Sequence, residues 1–235
     1  MRLLLISNST NAGEEYLDYP KHEIRDFLGK EKITGLFFPF AGVTMTYDSY
    51  TEKVKNRFNE IGHDIRSVHT YDDPIQAVQE AEAIVVGGGN TFHLIKMVRD
   101  LGLIDPVREK VMAGTPYIGW SAGSNMACPT IRTTNDMPIV EPDSFDAFSL
   151  VNFQINPHYL DSNPDGHAGE TREDRIQEFL VANSQVTVLG LREGCMLRLE
   201  NNQLNLTGKK PVRIFRHGQE PAEKYPGENL NFLIN

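Results

Sequence analysis

The stretch PYIGWSAGSNMAC (residues 116–128) decides the fold class, because an apolar run typical of a strand leads into a serine flanked by glycines, and a run typical of a helix follows. A strand that turns sharply into a helix at a serine indicates a nucleophile elbow, in which a strained backbone lifts the hydroxyl towards a base. Gly119 and Gly123 lie two residues before and after Ser121, where a Cβ would crowd the turn. The helix that begins at Ala122 would direct its free N–H groups at an oxyanion beside the serine.

Short apolar runs alternate with longer amphipathic runs around this elbow. Two amphipathic runs, residues 51–61 and 91–101, have apolar residues at the three- and four-residue spacing of a helix. The apolar runs mostly lack polar alternation and predict strands buried on both faces. These runs are residues 3–6, 33–38, 65–69, 83–86, 117–120, 151–155 and 186–191. Their order predicts a doubly wound α/β fold, in which a mostly parallel sheet has helices on both faces and ligands bind at the carboxyl ends of the strands.

The pattern changes after Glu193. Residues 195–200, 203–206 and 212–216 indicate an antiparallel meander, which a polar tail follows. Residues 129–146 form a long irregular stretch, and a loop of that length in a compact domain is often functional. The 235 residues, 40% of them hydrophobic, are enough for one domain with a sizeable core, so we expect a single domain over residues 1–235.

The composition narrows the class of partner. A net charge of −9 argues against nucleic acid or an anionic membrane as the main partner, since both demand clustered Lys and Arg. The apolar run near the N-terminus is too short for a signal peptide or a membrane span, which favours a cytoplasmic protein. Cys128 and Cys195 have neither metal-ligand spacing nor a disulfide framework, as expected in a reducing compartment. We expect no metal and no cofactor, and either a monomer or a small homo-oligomer.

His158 is the best candidate for the base that Ser121 requires. It follows the predicted strand 151–155 in the sequence INPH, so it would emerge on the same rim of the sheet as the serine. The remaining histidines have the surroundings of surface or packing residues; they are His22, His63, His69, His93, His167 and His217. Two carboxylates could orient the imidazole: Asp136 in the irregular stretch, and Glu193 after the predicted strand 186–191. The sequence does not decide between them.

A glycine-rich turn follows the predicted strand 83–86. The run GGGN (residues 87–90) lacks the G-x-G-x-x-G spacing and a Lys-Ser/Thr pair, so nucleotide binding is a weak interpretation. Gly89 could instead supply a second N–H to the oxyanion hole, with Asn90 beside it contacting the substrate. A tight turn that lets a helix pack closely on the sheet explains the glycines equally well.

Arg172 stands at the start of a predicted helix. Thr171 and Asp174 match a capping box, which places Arg172 at the first helical position, where a cation opposes the helix dipole. An arginine beside free helix N–H groups makes a carboxylate receptor. The alternative is an ordinary ion pair with Glu170 or Glu173.

Several strings of this chain closely resemble the peptidase E family, the bacterial α-aspartyl dipeptidases of serine peptidase family S51. The strings are SNST (7–10), FPFAG (38–42), VVGGGNTF (85–92), YIGWSAGSN (117–125), ACPTIRTTNDMPIV (127–140), INPH (155–158) and GETRE (169–173). The resemblance implies a doubly wound fold related to class I glutamine amidotransferases, a cytoplasmic enzyme without metal, and cleavage of dipeptides that begin with aspartate.

Carried over residue by residue, the resemblance implies that Ser121 is the nucleophile and His158 the base, with either Asp136 or Glu193 as the third member. It implies that Arg172 binds the aspartate side chain of the substrate. It also implies that Gly89 and Ala122 form the oxyanion hole. Ser124 stands where the family more often has alanine, and we expect this difference to be neutral.

Two other functions compete with an aspartyl dipeptidase. A related hydrolase of the cyanophycinase type would act on long aspartyl polymers. A non-catalytic module would hold a phosphate or carboxylate at the turn of residues 87–89, and labelling of Ser121 by a serine-directed probe would exclude it. A glutamine amidotransferase is disfavoured, because those enzymes use cysteine at the elbow and Cys128 lies seven residues too late.

Overall fold

A computed structural model describes residues 1–163, 166 and 168–234 of the chain. His167, which the sequence analysis places among the surface or packing histidines, lies outside the described residues. The strands in chain order are β1 (Leu3–Ile6), β2 (Thr34–Phe38), β3 (Asp64–Ser67), β4 (Ala83–Val86), β5 (Tyr117–Trp120), β6 (Gln154–Tyr159), β7 (Thr187–Arg192), β8 (Met196–Glu200), β9 (Gln203–Thr207), β10 (Val212–Arg216) and β11 (Ala222–Lys224). The α-helices are α1 (Lys21–Leu28), α2 (Tyr47–Glu60), α3 (Pro74–Glu80), α4 (Thr91–Asp100), α5 (Ile104–Met112), α6 (Ala122–Ala127) and α7 (Arg172–Ala182).

A seven-stranded sheet in the order β3-β2-β4-β5-β1-β8-β9 carries the elbow. The first five strands in that order are parallel, and β8 and β9 add an antiparallel edge. Every residue of β1, β4 and β5 is buried, because helices cover both faces of the sheet. Along β1, Leu3 and Leu5 pack into one core cluster, and Leu4 and Ile6 pack into the other. The prediction of a doubly wound, mostly parallel sheet is therefore confirmed.

A second sheet of four strands has the order β11-β10-β7-β6. Strands β6 and β7 are parallel, whereas β10 pairs antiparallel with both β7 and β11. Helix α7 packs Ile176 and Leu180 against Val188 and Phe215 of this sheet. On its other side the second sheet contributes Leu189 to the larger core cluster of the seven-stranded sheet, so the two sheets share apolar packing.

The predicted C-terminal meander is wrong in its third strand. Strands β8 and β9 form the expected antiparallel hairpin, but β8 pairs with β1 and so extends the main sheet. Strand β10 pairs with β7 and β11 in the second sheet. Alternating polarity predicts that a segment is a strand, but it does not say which distant edge the strand will join.

The predicted strand 151–155 is displaced along the chain. The observed β6 runs from Gln154 to Tyr159 and therefore contains His158, which the sequence placed after a strand end. Pro157 argues against a strand at this point, but β6 is an edge strand of its sheet, where a missing N–H is tolerated. The pairing of β6 with β7 is irregular between Pro157 and Tyr159, and His158 at this bulge has φ +53°.

Candidate active site

The elbow turns directly from β5 into α6 at Ser121, whose φ of 52° and ψ of −112° lie outside regular structure. A Cβ added to Gly119 would lie 2.4 Å from the carbonyl oxygen of Gly123. A Cβ added to Gly123 would lie 2.2 Å from the carbonyl oxygen of Val86. Contacts this short are with backbone, which cannot move aside, so the predicted crowding at both glycines is confirmed.

A row of hydrogen bonds joins Ser121, His158 and Glu193. The Oγ of Ser121 lies 3.0 Å from Nε2 of His158, and Nδ1 of His158 lies 2.7 Å from Oε1 of Glu193. With the proton of a neutral imidazole on Nδ1, that nitrogen donates to the carboxylate and leaves Nε2 free to accept the proton of the serine hydroxyl. This is the order of groups that generates a serine nucleophile.

Asp136, the other acid that the sequence left open, bonds elsewhere. Its Oδ2 accepts the N–H of Thr91 at 2.8 Å, the hydroxyl of Thr91 at 2.6 Å and the hydroxyl of Thr134 at 3.0 Å. Thr91 is the first residue of α4, so this carboxylate accepts a free N–H at the positive end of a helix. The structure therefore brings Glu193, and not Asp136, to the imidazole.

Ser7 holds the strained backbone of His158 from the main sheet. Its hydroxyl accepts the N–H of His158 at 3.0 Å and donates to the carbonyl oxygen of Leu191 at 2.7 Å. The preceding residue, Ile6, accepts the N–H of Ser121 at 3.0 Å. Consecutive residues at the end of β1 thus fix the backbones of both the serine and the histidine. Sequence reasoning assigned no role to Ser7, for which the signals were its position after a buried strand and its place in the string SNST.

The glycine-rich turn after β4 approaches the elbow closely. A Cβ on Gly88 would lie 3.1 Å from Cβ of Ser121, and one on Gly89, whose φ is +133°, would lie 2.2 Å from the carbonyl oxygen of Ala41. Gly88 and Gly89 thus allow close packing of the turn, which is the structural one of the two interpretations that the sequence offered for these glycines. Among the residues that the structure describes, the N–H groups of Gly89 and Ala122 have no acceptor.

Asn90 has a structural task as the N-cap of α4. Its side-chain oxygen accepts the N–H of His93 at 3.0 Å, and its amide donates to the carbonyl oxygen of Met137 at 2.9 Å. These bonds tie the irregular segment that contains Met137 to the glycine-rich turn. Asn90 also lines the same cavity as Ser121 and His158, so its contact with the substrate stays a prediction.

Ser124, the difference from the family that we expect to be neutral, forms hydrogen bonds beside the elbow. It is fully buried, and its hydroxyl lies 2.8 Å from the carbonyl oxygen of Ile6 and 2.9 Å from that of Gly119. Removing the hydroxyl would take a donor away from the strand ends beside the elbow.

The cavity beside Ser121 and His158 has a volume of about 680 Å³. Residues of α2, of the loop after β2 and of the glycine-rich turn form most of its wall, together with Tyr16, Trp120 and Ile139. A cavity with apolar walls and few polar groups is the usual form of a small-molecule site.

Arg172 lies in a different, smaller cavity of about 180 Å³, which Asp136, Arg132 and Arg175 also line. The predicted capping box of Thr171 and Asp174 is present, with Arg172 as the first residue of α7. Burial, and next the neighbouring charge of Arg175, lowers the pKa of Arg172, although a guanidinium remains charged.

The predicted alternative for Arg172, an ion pair with Glu170 or Glu173, is absent. Glu170 pairs with Arg175 at 3.7 Å, and Glu173 pairs with Arg213 at 3.0 Å. Within the described part of the chain, no carboxylate lies within ion-pair distance of Arg172. Its guanidinium is thus available to an acidic ligand of this second cavity.

The described residues contain no group of three or more His, Cys, Asp or Glu side chains that could hold a metal ion. None of their helices combines the length and the apolar character needed to cross a membrane.

The chain is similar to known peptidases over nearly its whole length. The model of Peptidase family S51 matches residues 3–207. Peptidase E of Nostoc sp. is 53% identical over 233 residues, which are 99% of this chain and 96% of that protein. Peptidase E of Salmonella typhimurium is 48% identical over 230 residues, which are 98% of this chain and 100% of that protein. The chain belongs to peptidase family S51, and it is therefore a hydrolase, a serine peptidase of the dipeptidase kind.

Two solved structures share the fold. A putative peptidase E from Listeria monocytogenes superposes with a TM-score of 0.66 at 22% identity, over 88% of this chain and 98% of that one. A peptidase from an acI-B1 Actinobacterium superposes with a TM-score of 0.69 at 15% identity, over 97% of this chain and 96% of that one. At these identities the likeness concerns the fold alone.

Proposed function

We propose that this peptidase is an α-aspartyl dipeptidase, which hydrolyses Asp-X dipeptides through an acyl-enzyme on Ser121. The observation that carries the proposal is the row of hydrogen bonds from Ser121 Oγ through the His158 imidazole to the carboxylate of Glu193, at 3.0 and 2.7 Å. The name peptidase E of the relatives supports the same family of reactions.

In the proposed mechanism, Ser121 Oγ attacks the carbonyl carbon of the N-terminal aspartyl residue while Nε2 of His158 takes the hydroxyl proton. The negative oxygen of the tetrahedral intermediate accepts the N–H groups of Gly89 and Ala122, which have no acceptor among the described residues. His158 then returns the proton to the departing amine, and the C–N bond breaks. In the second half, His158 takes a proton from water, which attacks the ester and releases aspartate.

Glu193 serves in this proposal as the orienting acid. It accepts the Nδ1 proton, which holds the imidazole in the reactive tautomer and stabilises the imidazolium that forms. Asp136 acts indirectly, because its two hydrogen bonds to Thr91 anchor the segment after the elbow to the start of α4.

Arg172 is proposed to read the aspartate side chain of the substrate. Its partly desolvated guanidinium without an ion-pair partner in the described chain favours an acidic ligand. In this structure Arg172 and Ser121 line separate cavities, so the proposal requires a bound substrate to bridge them.

The cellular form of the enzyme belongs to the proposal as well. We infer a single domain over residues 1–235, which the core packing shared by the two sheets supports. We further infer a cytoplasmic monomer or small homo-oligomer that needs neither metal nor cofactor, and that uses peptides rather than nucleic acid or membrane as partners.

Substitution of Ser121 by alanine tests the proposal. Asp-Leu hydrolysis should be abolished while the circular dichroism spectrum and Tm remain those of the parent, because the serine lies at a turn with a route to solvent. The parent should hydrolyse Asp-Leu far faster than Asn-Leu or Ala-Leu. Residual activity of Ser121→Ala within tenfold of the parent, or equal rates on the three dipeptides, would contradict the proposed mechanism or specificity respectively.

A further inference from the structure

We propose that Lys53 binds the C-terminal carboxylate of the dipeptide and thereby makes the enzyme prefer substrates with one residue after the cleaved bond. This inference rests on the proposed aspartyl dipeptidase function. It concerns the part of the catalytic cavity that would hold the leaving residue.

The charge of the catalytic cavity is the first observation. Among the described residues that line it, Lys53 is the only Lys or Arg, and no Asp or Glu is present. Besides the aspartyl side chain, a dipeptide has a C-terminal carboxylate, which belongs to the residue after the bond that Ser121 would attack. An ammonium group in a cavity wall without carboxylates is the available partner for that charge.

Lys53 contacts an aromatic side chain, and further contacts connect that side chain to Ser121. Its Nζ lies 4.0 Å from the centre of the Tyr16 ring, a cation–π contact that leaves hydrogen-bond donors free. The hydroxyl of Tyr16 donates to that of Tyr50 at 3.2 Å, and Tyr50 donates to the carbonyl oxygen of Gly88 at 2.9 Å. Gly88 packs against Ser121, so a continuous set of contacts connects the ammonium group to the elbow.

Some lysines of the chain, unlike Lys53, have carboxylate partners. Lys55, two residues further along α2, lies 4.0 Å from Asp64, and Lys96 lies 3.0 Å from Asp100. No acidic side chain of the described residues lies within ion-pair distance of Lys53. Lys53 is thus an exposed cation that contacts an aromatic ring and has no carboxylate partner in the chain itself.

Apolar side chains of the cavity that Lys53 lines suit the other part of a leaving residue. Val43, Met45 and Ile139 line the same cavity and are 47%, 43% and 51% exposed. Exposed apolar side chains grouped around a cavity indicate a binding surface. A leaving amino acid such as leucine presents a carboxylate and an apolar side chain on one Cα, which matches Lys53 and this apolar group together.

The substrate has a second carboxylate, on the aspartyl side chain. An amidated substrate distinguishes the two carboxylates, because amidation removes only the C-terminal one. We compare Lys53→Met with the parent on Asp-Leu and on Asp-Leu amide. For Asp-Leu, KM should rise about 10- to 100-fold, since a hydrogen bond to a charged group is lost, while kcat changes little. For the amide, the parent should already show the raised KM, and Lys53→Met should change it less than twofold. Lys53→Arg should keep much of the affinity for Asp-Leu, because the cation is retained.

Lys55→Met is the matched control, because it removes a lysine of the same helix that does not line the cavity. It should leave KM for both substrates unchanged, and Tm should report whether either variant is destabilised. An unchanged KM for Asp-Leu in Lys53→Met would overturn the inference. Equal losses on Asp-Leu and its amide, absent in Lys53→Arg, would assign Lys53 to the aspartate side chain instead. A parent that does not hydrolyse Asp-Leu would overturn the proposed function itself.

Discussion

Ser7→Ala should reduce catalysis through His158, although Ser7 is not expected to touch the substrate. The substitution deletes a buried hydroxyl that accepts the His158 N–H at 3.0 Å and donates to the Leu191 carbonyl at 2.7 Å. Each buried group left without a partner costs about 1–3 kcal/mol, so with two such groups the free energy of unfolding should fall by about 2–6 kcal/mol. His158 has φ +53°, and without the hydroxyl this strained position has one restraint fewer.

The catalytic effect of Ser7→Ala follows from the geometry of the row. A displacement of about 1 Å in a catalytic group can cost about a hundredfold in rate, so we expect kcat for Asp-Leu to fall about 10- to 100-fold with little change in KM. Ser7→Cys should be intermediate, because a thiol is a weaker hydrogen-bonding group. Steady-state kinetics at several pH values, with Tm on the same samples, measure both effects.

Ser67→Ala is the matched control for Ser7→Ala. Ser67 is also buried at the end of a parallel strand of the main sheet, and its hydroxyl contacts the Phe37 carbonyl and the His69 ring. This control should lower Tm and leave kcat unchanged. If Ser7→Ala keeps kcat within twofold of the parent, or if Ser67→Ala loses as much activity, the positioning argument is refuted.

Glu193→Gln should lower kcat by about three orders of magnitude or more, because an amide can favour the wrong imidazole tautomer. Asp136→Asn should mainly lower Tm. A larger loss of kcat in Asp136→Asn, in a protein that melts normally, would reverse this assignment. Arg172→Ala should lower kcat/KM for Asp-Leu about 30- to 5,000-fold and lower that for Asn-Leu far less; equal losses would show that Arg172 supports the fold instead of reading the substrate. His63 is 1% exposed, neither ring nitrogen has a partner among the described residues, and burial lowers its pKa. The unfolded chain therefore binds the proton more readily than the folded chain, so the free energy of unfolding should fall as pH drops below about 6.5. His63→Leu should weaken this pH dependence, as measured by urea denaturation at pH 5 and pH 8. An unchanged pH dependence in His63→Leu would contradict this role of His63.

The local features of the elbow could be predicted from the sequence because they depend on neighbours in the chain. The need for glycine at residues 119 and 123 follows from the crowding of one turn, and the measured approaches of 2.4 and 2.2 Å confirm it. The capping box at Thr171 and the helix after Asn90 likewise depend on side chains three residues apart.

The choice between Asp136 and Glu193 shows where such reasoning ends. Both follow the elbow, and both are acids in positions that a functional residue could occupy. The decision depends on β7 lying beside β6 in the second sheet, which places Glu193 next to the bulge at His158. Strand pairing between distant segments reflects packing of the whole core and cannot be read from either segment alone.

The sequence by itself predicted the class of the fold, the serine at its elbow and the histidine whose ring the structure brings to that serine. Those properties follow from apolar periodicity, the sterics of one turn and a short list of side chains able to act as a base. Only the tertiary structure decided which strands form the second sheet and which carboxylate contacts His158. It also showed that Ser7 accepts the N–H of His158, although the two residues are 151 positions apart in the chain. The physical reason is that hydrogen bonds and buried contacts between distant residues exist only after the core has packed, and their partners have no fixed spacing in the chain.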